Sequence, residues 1–350
     1  MYFLYFFLTF VLCLVLTLVI KWIMQRYKVV DEPKLEKRKI HKKRIPLGGG
    51  LAIFVSFFSI IFLILFFTDH LETDVSLNHL LGFFIGGFIL MVGGFLDDKY
   101  HLQAKQQIVA PILAALVVLA FGVGPGIITN PIGGVINLNI FKLNISSWGD
   151  WFWLADLVVF IWLMVMMFTT KLLDGLDGLV TGVVLIGTLM IGFLSLQDKW
   201  LQPDVALLSF VFAGACFGFL VWNWYPAKIF LGEGGSLFLG FMLGGLAVIS
   251  GGKIATTLLV LGLPIMDLVR VVFERIKKGK PIYEGDSEHL HFRLLQSGFS
   301  QKQAVLLFYT IAFLFGVSTL FLQSSQKLIA LLFLFVLMML VGLYFSRRNK

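Results

Sequence analysis

Trp151-Phe-Trp-Leu-Ala-Asp-Leu-Val-Val-Phe-Ile-Trp-Leu-Met-Val-Met-Met-Phe-Thr-Thr-Lys-Leu-Leu-Asp-Gly-Leu-Asp-Gly178 carries an almost unbroken apolar run into a lysine and two aspartates, and a second apolar run begins at Leu179. Asp174 and Asp177 therefore sit at a membrane boundary. Charge at or near hydrocarbon is costly, so an ionisable residue bordering a span is first a functional-site hypothesis. A spacing of three puts the two carboxylates on neighbouring positions of a helix face. Gly175 and Gly178 leave room for a ligand or a loop to approach the backbone. Two acids with space beside them outline a metal site.

Working outward, the composition sets the class. Of 350 residues 59% are hydrophobic and 14% charged, and the mean hydropathy is +0.93, more apolar surface than a soluble core uses. The chain reads as an all-α polytopic membrane protein, a single domain over 1–350. Its formal charge of +8 does not point to nucleic acid, because the basic residues cluster in short segments between apolar runs. Cys13 and Cys216 both lie inside apolar runs, which sets aside a disulfide framework and a thiolate metal cluster. Residues 2–20 are apolar with no basic region before them, which argues for a first span rather than a cleaved signal peptide.

A span takes about 20 apolar residues. Eleven segments qualify, several of them short: 2–24, 47–67, 79–96, 107–122, 151–169, 179–195, 204–222, 236–250, 254–272, 303–322 and 327–345. With alternating sides, nearly all the basic residues fall on one face and only Lys142, Lys199, Lys253 and Lys327 on the other. The positive-inside rule then predicts about eleven transmembrane helices, an outside amino terminus, a cytoplasmic carboxyl terminus and a plasma-membrane location. The longest outer loop, 123–150, holds Gly124-Pro125-Gly126 and the alternating run Val135-Ile-Asn-Leu-Asn-Ile-Phe-Lys-Leu-Asn-Ile145, which predicts a small β-hairpin or interfacial strand.

With that topology six acids share one face: Asp97, Asp98, Asp174, Asp177, Glu233 and Asp267. Any one of them alone reads best as a solvated loop charge. Their grouping beside glycines has no counterpart in the outer loops. Asp97 and Asp98 follow Gly93-Gly94 and precede Lys99 and Lys105; adjacent carboxylates stay ionised together most easily beside a divalent cation or a lysine. Oxygen ligands without Cys or a His cage favour Mg²⁺ or Mn²⁺ over Zn²⁺, and with them a phosphate substrate. In Asn223-Trp-Tyr-Pro-Ala-Lys-Ile-Phe-Leu-Gly-Glu-Gly-Gly-Ser236 a glycine-rich turn opens into an apolar run, so its N–H groups form a natural anion site, although glycines also make an ordinary flexible turn. His289, His291 and Arg293 alternate and would share a face if the chain is extended there, as a clamp for a diphosphate or nucleotide. The basic stretch 34–44 is chiefly a topology signal, with headgroup contact as an addition.

Taken in order, these motifs resemble the polyprenyl-phosphate N-acetylhexosamine-1-phosphate transferase family, glycosyltransferase family 4. Its members start O-antigen, enterobacterial common antigen and teichoic-acid synthesis, and the phospho-MurNAc-pentapeptide translocase is a relative. The matching text is His41-Lys-Lys-Arg-Ile-Pro-Leu-Gly-Gly-Gly-Leu51, Gly94-Phe-Leu-Asp-Asp98, Leu173-Asp-Gly-Leu-Asp-Gly-Leu179, Asn223-Trp-Tyr-Pro-Ala-Lys-Ile-Phe230 with Gly232-Glu-Gly-Gly-Ser236, Pro264-Ile-Met-Asp267 and His289-Leu-His291. The resemblance covers about residues 35–300, and motifs in this order are specific. The family usually has Asn where Lys171 stands, Asp where Glu233 stands, and a third His where Phe292 stands.

The resemblance implies transfer of a sugar 1-phosphate, GlcNAc 1-phosphate first among candidates, from a UDP-amino sugar to polyprenyl (undecaprenyl) phosphate, with release of UMP. It implies Mg²⁺ or Mn²⁺ as cofactor and catalytic roles for Asp97, Asp98, Asp174 and Asp177. Glu233, Asp98 and Asp174 would hold the metal. Lys105, Lys171, Asn223, His289, His291 and Arg293 would bind substrate, and the catalytic loops would be 34–50, 97–106, 170–178, 223–236 and 274–302. Homodimerisation is left open. Two rivals stand beside this reading: a transporter, whose sites usually lie near the bilayer midplane in repeated halves, and a catalytically impaired family member serving as a scaffold.

Overall fold

The computed structural model describes residues 1–350 apart from 34–42, 72–73, 125–126, 130–134, 138–142, 146–148, 152, 252, 278, 280–288 and 349–350. Most of the basic stretch 34–44, His41 of the family motif and most of the loop before His289 therefore lie outside the described residues. In chain order the helices are α1 Tyr2–Arg26, α2 Gly49–Phe67, α3 Leu77–Tyr100, α4 Ala104–Gln107, α5 Val109–Ala120, α6 Trp153–Leu173, α7 Leu179–Ser195, α8 Pro203–Asn223, α9 Glu233–Ile249, α10 Ile254–Val260, α11 Gly262–Lys277, α12 Leu290–Gln296, α13 Gln301–Ser318 and α14 Ser324–Arg348.

Helices dominate, as the composition requires. Among the described residues six are long and apolar enough to cross a membrane: α1, α2, α3, Leu154–Leu173 of α6, α8 and α13. The pair α10 and α11, bent by 76° at their break, makes a seventh if it counts as one span. Ala104–Ala120, Leu179–Ser195, Glu233–Ile249 and Ser325–Leu337 are apolar but shorter, below the length of about 20 residues that a perpendicular crossing takes. α7 and α9 are short for a visible reason: each starts from a glycine-rich loop, at Gly178 and at Gly232, both with left-handed φ (+77° and +75°). Both are almost wholly buried among other helices.

Sheet is confined to three two-stranded antiparallel pairs among the described residues. β1 (Val30–Asp31) pairs with β2 (Ile45–Pro46), β3 (Ile127–Thr129) with β4 (Val135–Asn137), and β5 (Leu143–Ile145) with β6 (Gly149–Trp151). The alternating run 135–145 thus does not close a hairpin on itself. Its two ends are β4 and β5, which join different ladders in the registers Ile128↔Ile136 and Asn144↔Asp150. Alternation marked the strands but carried no information about their partners.

α9 fixes the geometry of the bundle around it. A Cβ on Gly94 of α3 would stand 2.0 Å from the Gly234 nitrogen, and one on Gly50 of α2 would stand 2.1 Å from the Gly235 Cα. A Cβ on Gly240 would stand 2.4 Å from the Met166 carbonyl oxygen of α6. Glycine on both sides lets the first turn of α9 wedge between α2 and α3 at backbone contact. The backbone N–H groups of Gly49 and Gly50 are satisfied across that wedge by the carbonyls of Phe230 and Leu231, at 2.8 and 2.9 Å. Gly94→Ala forces two backbones apart, and overpacking of that kind costs roughly 1–3 kcal/mol. Its expected result is a lower melting temperature in detergent and a loss of activity; a variant that melts with the parent would show that the wedge is not tight.

Candidate active site

Four helix ends meet at one end of the bundle. α3 stops where His101 takes a left-handed φ of +52°, and in its last turn buried Asp97 accepts hydrogen bonds at Oδ1 from the Leu102 N–H at 2.9 Å and from Gln107 Nε2 at 3.1 Å. Gln107, ending α4, accepts at Oε1 from Lys171 Nζ at 3.0 Å. Lys171, in the last turn of α6, also stands 2.8 Å from Glu233 Oε2. The Glu233 N–H opens α9 and donates to Asp98 Oδ1 at 3.1 Å. Asp97, Gln107, Lys171, Glu233 and Asp98 form a closed ring across α3, α4, α6 and α9. At the α9 N-terminus, where the sequence suggested an anion site, the Glu233 N–H is taken by the chain's own Asp98 carboxylate, a place where backbone N–H and helix dipole favour negative charge.

The Asp174–Gly178 loop is tied down separately. Asp177 Oδ2 accepts from the Ala227 N–H at 2.9 Å. Buried Asn223 accepts at Oδ1 from the Gly178 N–H and from Thr181 Oγ1, both at 3.1 Å, and donates from Nδ2 to the Ile229 carbonyl at 3.1 Å. Tyr309 of α13 donates its hydroxyl to the Gly178 carbonyl at 2.5 Å. The Asn223 amide is spent on joining the 174–178 and 223–231 loops, so the residue expected to bind substrate positions the backbone that carries Asp177.

The histidines approach from the other side. The alternating residues would share a face only in an extended chain; here His289 caps α12 and residues 290–296 are helical. Arg293 is therefore one turn beyond His289, and its N–H donates to the His289 carbonyl at 3.1 Å. The two imidazoles still stack, 5.7 Å apart and 6° from parallel. His289 Nδ1 meets Asp267 Oδ2 at 3.0 Å; Asp267 also accepts from Arg270 at 2.7 Å, and Arg270 and Arg293 share Glu274. His291 is 1% exposed, and neither ring nitrogen has a hydrogen-bond partner among the described residues. A Cβ on Gly175 would stand 2.4 Å from its Nε2, so only glycine lets the Asp174 loop lie against this ring. Burial and the neighbouring His289 push His291 down to about 3, with Asp267 pulling the other way, so the ring is neutral and offers a hydrogen bond rather than charge. Lys105 is exposed on α4, two residues from Gln107.

Among the described residues the carboxylates crowd one another. Burial and the like charges of Glu233 and Asp177 push Asp174 up to about 8. The residue nevertheless keeps an exposed face, so hydration tempers the burial part and the two carboxylates are the durable cause. Among the described residues no three Asp, Glu, His or Cys side chains are drawn together in the arrangement of a bound metal. The donor set still fits one. Among the described residues Glu233 Oε2 is buried without an aligned hydrogen bond and meets the Lys171 charge, and Asp98, Asp174 and Glu233 lie near enough to act on one another. Oxygen donors of this kind suit Mg²⁺ or Mn²⁺.

Four participants escaped the sequence reading. Gln107 left only the signal of a polar residue opening an apolar run, two positions after Lys105. Arg270 and Glu274, one and two turns along α11 from Asp267, follow the spacing of helical ion pairs. Tyr309 had no sequence signal, since it reaches Gly178 from a distant helix.

Residues 80–251 match the family described as glycosyl transferase family 4. Three relatives extend the likeness. The chain is 31% identical over 324 residues to a probable undecaprenyl-phosphate N-acetylglucosaminyl 1-phosphate transferase of Bacillus subtilis, covering 91% of this chain and 84% of that protein. It is 29% identical over 296 residues to a decaprenyl-phosphate N-acetylglucosaminephosphotransferase of Mycobacterium tuberculosis, covering 78% and 71%. It is 29% identical over 295 residues to a phospho-N-acetylmuramoyl-pentapeptide-transferase of Bacillus cytotoxicus, covering 81% and 85%. The segment matched to the family runs from α3 to just beyond α9 and so contains every member of the Asp97–Gln107–Lys171–Glu233–Asp98 ring; the chain belongs to glycosyl transferase family 4.

Proposed function

We propose that the chain transfers a sugar 1-phosphate, GlcNAc 1-phosphate first among candidates, from a UDP-sugar to undecaprenyl or a similar polyprenyl phosphate. UMP is released and a polyprenyl-diphosphate sugar remains, the first membrane step of a cell-envelope glycan. The observation that carries this reading is the ring of acids and Lys171 at one end of the bundle, within the segment matched to the family. A midplane site in repeated halves, the mark of a carrier, has no counterpart in it.

An oxygen of the acceptor phosphate forms a bond to the phosphorus bearing the sugar, and the bond from that phosphorus to the UMP oxygen breaks. Little covalent chemistry falls to the protein in such a transfer; positioning and charge do the work. Asp97, fixed by Gln107 and the Leu102 N–H, and Asp98 orient the acceptor phosphate and take its proton if it arrives protonated. Asp174 faces the same space, and Asp177 holds the loop that presents it. Neutral His291 hydrogen-bonds the donor, while Arg293, its charge shared with Glu274, and exposed Lys105 attract its diphosphate. Bound by Asp98, Asp174 and Glu233, Mg²⁺ or Mn²⁺ would supply charge neutralisation at the diphosphate.

The same reading places the polyprenyl tail in lipid and the site at the cytoplasmic face of the plasma membrane, in a single domain of eleven spans. The four short apolar helices support that count when each is taken as a tilted or protein-enclosed crossing. Two measurements test the proposal. Purified protein given polyprenyl phosphate and a mixture of UDP-sugars should yield a polyprenyl-diphosphate N-acetylhexosamine and UMP by mass spectrometry; no lipid product with any donor would refute it. Single cysteines in the 34–44 and 277–288 loops should be labelled only from the cytoplasmic side, because those loops carry the basic bias; labelling from outside in intact cells would relocate the site.

A further inference from the structure

Two of the three positions at which the site departs from the family's usual residues, Lys171 and Glu233, touch each other. Lys171 Nζ lies 2.8 Å from Glu233 Oε2, and their side chains are 16% and 35% exposed. A neutral side chain at 171 would supply no counter-charge, and a carboxylate one methylene shorter at 233 would draw its oxygen back from the ammonium. The pair has one further anchor on each side: Gln107 Oε1 holds the lysine at 3.0 Å, and the Glu233 backbone N–H is bound to Asp98 at 3.1 Å. This ammonium stands inside a group of carboxylates, since Asp98 and Asp174 both lie within electrostatic reach of Glu233. Asp97 is coupled to it through Gln107. A long flexible lysine held by two partners at helix ends is a fixed charge rather than a solvated one.

Resting on the phosphotransfer reading, we infer that Lys171 is a positioning residue that supplies, from within the chain, part of the positive charge these carboxylates require. It holds Glu233 in its present place and competes with a divalent cation for that oxygen. The site therefore binds its metal more weakly than its acids alone would. The lysine also keeps the Glu233 carboxylate on the last turn of α6, while Asp98 stays on the Glu233 N–H.

The test uses the full-length chain in detergent and Mn²⁺ alone, with binding read by electron paramagnetic resonance or calorimetry rather than by turnover. Lys171→Asn removes the charge, Lys171→Gln removes it while keeping most of the length, and Lys171→Arg retains it. The two neutral variants should bind Mn²⁺ about tenfold more tightly than the parent, the low end of what one charge within a few ångströms does to a carboxylate's affinity for a cation, and the arginine variant should bind as the parent does. Two neutral variants guard against one that misfolds, which a melting curve reports. Neutral variants within about twofold of the parent, an arginine variant that tightens binding equally, or no saturable Mn²⁺ binding in any form would overturn the inference. Transfer activity of the unaltered chain, assayed in the same preparation, separates the two ideas: failure there refutes the proposed reaction, whereas active protein with unchanged Mn²⁺ affinity refutes only the role of Lys171.

Discussion

Asp98→Asn should lower turnover by at least about a hundredfold, the usual scale for losing one charge-stabilising group in a preorganised site, while the chain stays folded. The substitution is informative because of what it leaves alone. Asp98 is held at one oxygen by the Glu233 N–H at the start of α9, and an asparagine keeps a carbonyl oxygen for that bond. The amide lacks the charge, and it replaces the second oxygen, which lies against Gly232, with a hydrogen-bond donor. Stability should move little, since removing one of several mutually repelling acids offsets the weaker hydrogen bond. Asp174→Asn should give a loss of the same order, because Asp174 lies beside the like charges of Glu233 and Asp177. Steady-state turnover and a melting curve on the same samples check both. Near-parental turnover for either variant would remove that carboxylate from the chemistry, and full activity in EDTA would remove the metal.

The fold class was legible because apolar runs long enough to cross a bilayer declare themselves residue by residue, as α1, α2 and α8 do. What the runs did not show is that several are shorter as helices than as apolar segments. The break between Val260 and Gly262, with its bend of 76°, is invisible in a continuous apolar stretch. The contacts that set α9 against α2 and α3 need pairs of glycines distant in sequence, and a single sequence gives each glycine as room without saying what fills it. The site divides in the same way. Paired acids in an apolar chain drew attention to Asp97, Asp98, Asp174, Asp177 and Glu233, and the structure brings their helix ends together. Gln107 stayed hidden because one glutamine in a polar turn is unremarkable until Asp97 and Lys171 are seen on either side of it. The bonds by which Asn223 ties two loops were not legible, since an amide that binds a ligand and one that joins two loops look alike in a sequence. At His289 and His291 the alternation offered a shared face only in an extended chain, and the α12 helix prevailed, its first residue capped by the Asp267 carboxylate accepting from the Leu290 N–H at 3.0 Å.

Glu233→Gln should abolish transfer, and it separates a working ligand from a bystander more cleanly than any other substitution here. Glu233 makes two separable contributions. Its backbone N–H holds Asp98, which any residue at the position preserves, and its side chain meets Lys171 and leaves Oε2 buried without an aligned hydrogen bond among the described residues. Glutamine keeps the shape and the backbone contact but removes the charge that a divalent cation needs, and it leaves the Lys171 ammonium without its ionic partner in a half-buried place, itself a cost. Glu233→Asp retains the charge on a shorter arm. In a loop shaped for glutamate its oxygen falls about 1 Å or more short, and misplacement on that scale costs around a hundredfold. Aspartate should therefore keep partial activity with a raised metal requirement, whereas glutamine should stay inactive at any Mg²⁺ concentration. A Mg²⁺ titration of both variants beside the parent decides the matter. If the glutamine variant follows the parental curve, Glu233 only braces Lys171, and the metal must be held by Asp97, Asp98, Asp174 and Asp177 alone.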